Sequence, residues 1–216
     1  QYGIVELAED GGEHPDTVSA LTGDPLATPV NLTGVRHELD AVRLLAPVIP
    51  RSKVVGVGRN YAAHAAELGN EVPTSPQFFL NPNTSVVGPN EPVTLPSWSD
   101  EVSYEAELAV VIGTICKDVP VSRVDDVVFG YTVGNDVTAR DLQKRDGQFT
   151  RAKGFDTFCP LGPWIETELD ISDLAVRTFV NGETRQDGRT SDLIFDIPSL
   201  IAHVSSVMTL LPGDVI

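Results

Sequence analysis

Glu105 and Glu107 stand two residues apart in the apolar run Ser-Tyr-Glu-Ala-Glu-Leu-Ala-Val-Val-Ile (103–112), which alternates as a β-strand does. Side chains change face at each step along a strand, so both carboxylates share one side with Ala109 and Val111. Tyr104, Ala106, Leu108 and Val110 take the other. Two carboxylates on a largely apolar face repel each other and are costly to bury. Either this is an edge strand with its glutamates in water, or something positive sits between them. A hard divalent cation suits the second case, because Mg²⁺ binds few carboxylates and keeps open positions for water or substrate.

Three further segments carry groups of matching chemistry. Asp136, in Gly-Asn-Asp-Val-Thr-Ala-Arg-Asp (134–141), closes an apolar strand; it is either the cap of a helix begun just after it or a third carboxylate ligand. His64 and Glu67 are three residues apart and share a face if residues 62–68 are helical. A carboxylate beside an imidazole raises its basicity, as a general base taking a proton from water requires, whereas on a surface helix the same pair is incidental. Lys153 lies among apolar and turn residues; it is either solvated or a point charge for a substrate carboxylate.

The elements that must position these groups are mostly strands. Residues 54–58, 78–80, 103–112, 127–136 and 174–180 read as strands, and residues 198–211 have helical spacing that stops at Pro212-Gly213. Long βαβ alternation is missing, so the expected fold class is mixed α/β, mostly β. Residues 1–48, rich in Gly, Pro, Asp and Thr with one strand-like run at the start, read as a small N-terminal region. Residues 49–216 form the main domain.

Composition excludes several classes of function. With 216 residues, 41% hydrophobic and 21% charged, the chain is ordinary for a globular protein with a sizeable core. Its net charge of −16, with no basic patch, excludes nucleic acid and anionic membranes as partners. An anionic substrate would need a local positive centre. No apolar run approaches the ~20 residues of a membrane helix. Cys116 and Cys159 form no CxxC or Cys/His cluster and read as free thiols in a reducing cytoplasm. Residues 1–7 lack the features of a signal peptide, and without an initiator Met some residues are expected to precede Gln1.

Five motifs together resemble the fumarylacetoacetate hydrolase family. They are Gly-Arg-Asn-Tyr-x-x-His-x-x-Glu (58–67), Tyr-Glu-x-Glu-Leu-Ala-Val-Val-Ile-Gly (104–113), Gly-Asn-Asp-Val-Thr-Ala-Arg-Asp-Leu-Gln (134–143), Arg-Ala-Lys-Gly-Phe-Asp-Thr-Phe-Cys-Pro-Leu-Gly-Pro-Trp (151–164) and Leu-Leu-Pro-Gly-Asp-Val-Ile (210–216). The resemblance runs from about residue 44 onward and implies a homodimer built on the family's β-roll. It implies Mg²⁺ or Mn²⁺ on Glu105, Glu107 and Asp136, a water-activating dyad of His64 and Glu67, and Lys153 near the oxo-acid end of the substrate. Arg140, Asp141 and Gln143 would line the same site, with Arg59 and Tyr61 as further substrate contacts. The implied substrate is a small anionic 2-oxo acid of the acylpyruvate or oxaloacetate type.

Hydrolysis of a C–C bond, decarboxylation and isomerisation of a 2-hydroxyhepta-2,4-diene-1,7-dioate would all use such a site; His64 and Glu67 favour hydrolysis. The chain departs from the family at Asn81, where Phe-Leu-Lys-Pro is usual, and it stops before the Thr-Gly-Thr-Pro-x-Gly-Val-Gly stretch of its relatives, so a further tail is expected. An inactive metal-binding module is the alternative of a different class.

Overall fold

Residues 1–8, 14–61 and 73–216 are described by the computed structural model. The helix expected at 62–68, with His64 and Glu67, lies outside them. Strands β1 (Gly3–Glu6), β2 (Thr17–Leu21) and β3 (Leu32–Glu38) make an antiparallel sheet in that order. Only the first was expected. Every residue of β3 is exposed, so it carries no alternation to read.

Strand β4 (Val54–Gly58) pairs antiparallel with β5 (Gln77–Asn81), matching the expected strands within a residue. Gly56 faces Phe79, and a Cβ there would lie 2.1 Å from the ring. Glycine lets the ring cross its partner strand, a close approach typical of strand glycines.

The expected strand at 103–112 divides in two. Its first part is β7 (Val102–Ser103), which comes after β6 (Val86–Val87); its second is β8 (Ala106–Ile112). Strands β9 (Val128–Asn135), β10 (Thr138–Ala139) and β11 (Cys159–Glu166) complete the central region. The sheet order is β6-β11-β9-β8, and β10 pairs separately with β7. Residues 214–216 carry the hydrogen bonding on to β4. Val110 and Ile216 exchange backbone bonds, and Val55 N donates to Val215 O at 2.8 Å. The fully buried Asp214 carboxylate fixes this seam by accepting from Ser52 Oγ and Lys53 Nζ, both at 2.6 Å.

Helices α1 (Arg140–Asp146) and α2 (Thr150–Lys153) come after β10. Asp136 is not a helix cap, because α1 starts at Arg140 with Ala139 in the N-cap position. Strands β12 (Ala175–Val180) and β13 (Glu183–Arg189) form a hairpin. Helix α3 (Ile197–Val207) starts at Asp196, whose side chain accepts from Ser199 N at 2.9 Å. Its buried Ile197, Leu200, Ile201 and Val204 keep helical spacing, and three of them pack with Val55, Val110, Ile112 and Leu210. The helix ends earlier than its spacing suggests, since Met208 is already extended. The architecture is mixed and mostly β, as expected. No helix among the described residues is long and apolar enough to cross a membrane.

Candidate active site

Glu105 lies in the break between β7 and β8. Its N–H donates to Asn135 Oδ1 at 2.9 Å, and its carbonyl accepts from Asp136 N at 2.8 Å. The side chain of Asn135 thus takes the place of a ladder bond and sets Glu105 beside Asp136. Between their carboxylates sits Lys153, the last residue of α2, with its side chain only 4% exposed. Its ammonium donates to Glu105 Oε2 at 2.7 Å, Asp136 Oδ2 at 2.6 Å and Thr138 Oγ1 at 2.7 Å. All three donors of the ammonium are therefore engaged. The same nitrogen lies 5.1 Å from the centre of the Phe79 ring, a cation–π arrangement that Gly56 makes room for.

Arg140 supplies the second cation. Its Nη2 donates to Glu105 Oε1, and its Nη1 donates to Gln143 Oε1 at 3.1 Å. Among the described residues, three carboxyl groups thus face two cations, and Glu107 bears the imbalance. Burial, then the charges of Glu105 and Asp136, push its carboxyl up to about 8, although Lys153 opposes them. Burial also raises Asp136, joined by Glu105 against the pull of Lys153. Glu105 experiences the same burial, yet Lys153 and Arg140 bring it below the ordinary range. The Tyr61 hydroxyl is pushed up to about 12 by burial, with Glu107 and Asp192 adding to it. Tyr61 therefore stays protonated and faces the same negative charge.

The donor set fits a hard divalent cation. Glu105, Glu107 and Asp136 offer oxygens, and their mutual repulsion is the strain that a cation relieves. Asn81, only 4% exposed, adds a buried carbonyl oxygen with no partner among the described residues, while its Nδ2 donates to Asp136 Oδ1 at 3.5 Å. An orphaned acceptor of this kind suits a donor such as cation-held water. No three Asp, Glu, His or Cys side chains among the described residues converge closely enough to hold a metal ion as they stand. Two of the candidate carboxylates converge on the Lys153 ammonium instead.

Residues 53–216 match the family model for the fumarylacetoacetate (FAA) hydrolase C-terminal domain. The chain belongs to the fumarylacetoacetate hydrolase family. Residues 1–47 match a second model, the Rv2993c-like N-terminal domain. The chain is 53% identical over 220 residues to protein Rv2993c of Mycobacterium tuberculosis, spanning 99% of this chain and 82% of that one. A solved structure of a 5-carboxymethyl-2-hydroxymuconate delta-isomerase from Mycobacterium smegmatis superposes with a TM-score of 0.88 at 51% identity, over 99% of this chain and 80% of that one. A fumarylacetoacetate hydrolase from the psychrophilic Exiguobacterium antarcticum superposes with a TM-score of 0.75 at 42% identity, over 84% and 66%.

In this fumarylacetoacetate hydrolase family member, Glu105, Asp136, Arg140, Gln143 and Lys153 form one bonded cluster, with Glu107 and Tyr61 against it in charge. Asp141 turns elsewhere: its Oδ1 accepts from Ser99 Oγ and from Leu142 N, and the Ser99 bond holds its carboxyl below the ordinary range. Arg59, just after β4, has a left-handed φ of 58°, which turns the chain into Asn60. Asn60, buried, exchanges side-chain bonds with the backbone of Phe195 at 2.8 and 2.9 Å and so sets Tyr61 against Leu193. Sequence reasoning missed Asn60, Asn135, Thr138 and Gly56 as supports. Asn60 and Asn135 lie within the family motifs, and a glycine inside a strand is a signal of close backbone approach.

Proposed function

We propose that this family member is a divalent-cation-dependent enzyme that hydrolyses a C–C bond in acylpyruvate-type 2-oxo acids. The observation that carries the proposal is the oxygen-rich cluster itself, in which the carboxyl groups of Glu105, Asp136 and Glu107 outnumber the described cations beside them, Lys153 and Arg140. Glu105, Glu107 and Asp136 would hold Mg²⁺ or Mn²⁺. When bound, the cation supplies Lewis-acid stabilisation of negative charge developing on a 2-oxo oxygen.

The chain's own residues do the rest. Arg140 and Lys153 keep Glu105 ionised, and the protonated Tyr61 offers a hydrogen-bond donor to an anionic substrate. In hydrolysis, water adds its oxygen to the distal carbonyl carbon, the C–C bond breaks, and its electron pair stays with the 2-oxo fragment. A proton returned to that carbon yields one carboxylic acid and one smaller 2-oxo acid. His64 and Glu67, outside the described residues, would take the proton from water, a role carried by their sequence motif.

Isomerisation is the second reading, favoured by the likeness to the Mycobacterium smegmatis isomerase. It needs the same charge stabilisation and proton transfer, with no attack by water. From the family resemblance we also propose a cytoplasmic homodimer.

The two readings separate in one assay, with Mg²⁺ or Mn²⁺ and with chelator. Cation-dependent cleavage of acetylpyruvate, lost in His64→Ala, supports the hydrolase. Conversion of 2-hydroxyhepta-2,4-diene-1,7-dioate alone makes the protein an isomerase. Turnover that survives the chelator undiminished would refute the cation's part in either.

A further inference from the structure

Gln186 reaches from β13 to the peptide that lies between the two glutamates. Its Oε1 accepts from Ala106 N at 2.9 Å, and its Nε2 donates to Ala106 O at 2.7 Å. Thr178 Oγ1, on β12, donates to the same Oε1 at 3.1 Å. These bonds fix the amide's orientation, since the opposite one would set donor against donor.

Ala106 needs such a partner because of where it lies in the ladder. Glu105 turns its backbone toward β9, where its carbonyl meets Asp136 N, and Glu107 pairs with Gly134. In an antiparallel ladder the intervening residue directs its N–H and C=O to the opposite edge. At that edge Gln186 stands in for a neighbouring strand. A bulge in the hairpin aims it: Thr178 faces Gln186 while Phe179 faces Thr184, leaving Arg185 as the extra residue. Bulges of this kind bend a strand and redirect its side chains. Glu183, Thr184, Arg185 and Asp187 are exposed, whereas Gln186 is drawn inward.

We infer that Gln186 is a positioning residue. Its amide holds the pleat of residues 105–107, so that Glu105 and Glu107 present their carboxylates together to a divalent cation. The inference rests on the cation reading above. It assigns control of cation affinity to a hairpin that contributes no ligand.

The test is Mn²⁺ titration of the full chain, read from the electron paramagnetic resonance of free Mn²⁺, with thermal melting of the same samples. Gln186→Met keeps the length but removes the amide, and should weaken Mn²⁺ binding about 10- to 100-fold, the loss usual for groups that orient metal ligands. Asp187→Asn breaks an ion pair with Arg177 on the same hairpin without touching Ala106, and should bind as the wild type does. Equal affinity in Gln186→Met and wild type would overturn the inference, as would an equal loss in Asp187→Asn. Should Gln186→Met not fold, Thr178→Val removes only the third bond, and a several-fold loss is expected; unchanged affinity there would overturn the inference too. A wild type that binds no Mn²⁺ would instead overturn the cation reading, and this inference with it.

Discussion

In the absence of a cation, Glu107 should make the protein less stable as the pH rises. Its carboxyl sits at about 8 when folded against an ordinary 4.5, chiefly through burial and then through Glu105 and Asp136. Between those values the folded protein keeps a proton that the unfolded chain has released. Stability falls with pH wherever the native state binds more protons. The contribution is therefore fully present below about 4.5 and is lost as pH approaches about 8. At about 1.4 kcal/mol for each pH unit, the whole span would amount to on the order of 5 kcal/mol. Solvent reaching a part-buried carboxyl screens some of this, so about 2–4 kcal/mol is the expected decline. Urea denaturation in chelator, from about pH 5 to 8, would measure it in wild type and in Glu107→Gln. The amide has no proton to lose, so the variant should gain on the wild type by that amount across the range. Saturating Mn²⁺ should flatten the wild-type decline. Parallel profiles for the two proteins in chelator would refute the reasoning.

Lys153→Met leaves Glu105 and Asp136 without their shared ammonium; breaking a buried pair in this way costs about 3–5 kcal/mol. Calorimetry in chelator should show Tm lower by roughly 6–20 °C, and a Tm near the wild type would mean that the pairs contribute little. Asn81→Leu removes a buried acceptor without a partner among the described residues, along with a long bond to Asp136, and should raise stability by about 1 kcal/mol while lowering turnover; a destabilised variant would refute a net gain from removing that oxygen. Gly56→Ala drives a methyl into the Phe79 ring, and urea denaturation should register a cost of about 1–3 kcal/mol; a neutral result would mean that the ring moves aside freely.

Residues that bury an apolar face were the most legible in the sequence. Strands β4, β5, β9 and β12 appear within a residue or two of their apolar runs, because one face of each must leave water. Strand β3 was invisible, since an exposed edge imposes no pattern. The run at 103–112 failed for a different reason. Its alternation continues through Tyr104 and Glu105, but there the backbone bonds to the Asn135 side chain rather than to a strand. Spacing alone put Glu105 and Glu107 on one face. That Lys153 would hold Glu105 and Asp136 together could not be read from spacing, because 48 and 17 residues separate the partners in sequence. Support from Gln186 was equally hidden, since an exposed-looking hairpin gives no sign that one of its side chains turns inward.

The seam at residues 214–216 has a consequence for synthesis. Val215 bridges β4 on one side and β8 on the other, and Ser52 meets Asp214 across 162 positions of sequence. The bonds through Val215 that tie the β4–β5 hairpin to β8 therefore cannot form until residue 215 and its neighbours have left the ribosome. Closing so long a loop must precede any reward from the contacts it makes, which slows folding. Until then the hairpin that carries Phe79 and Asn81 lacks this tie to the strand that carries Glu107.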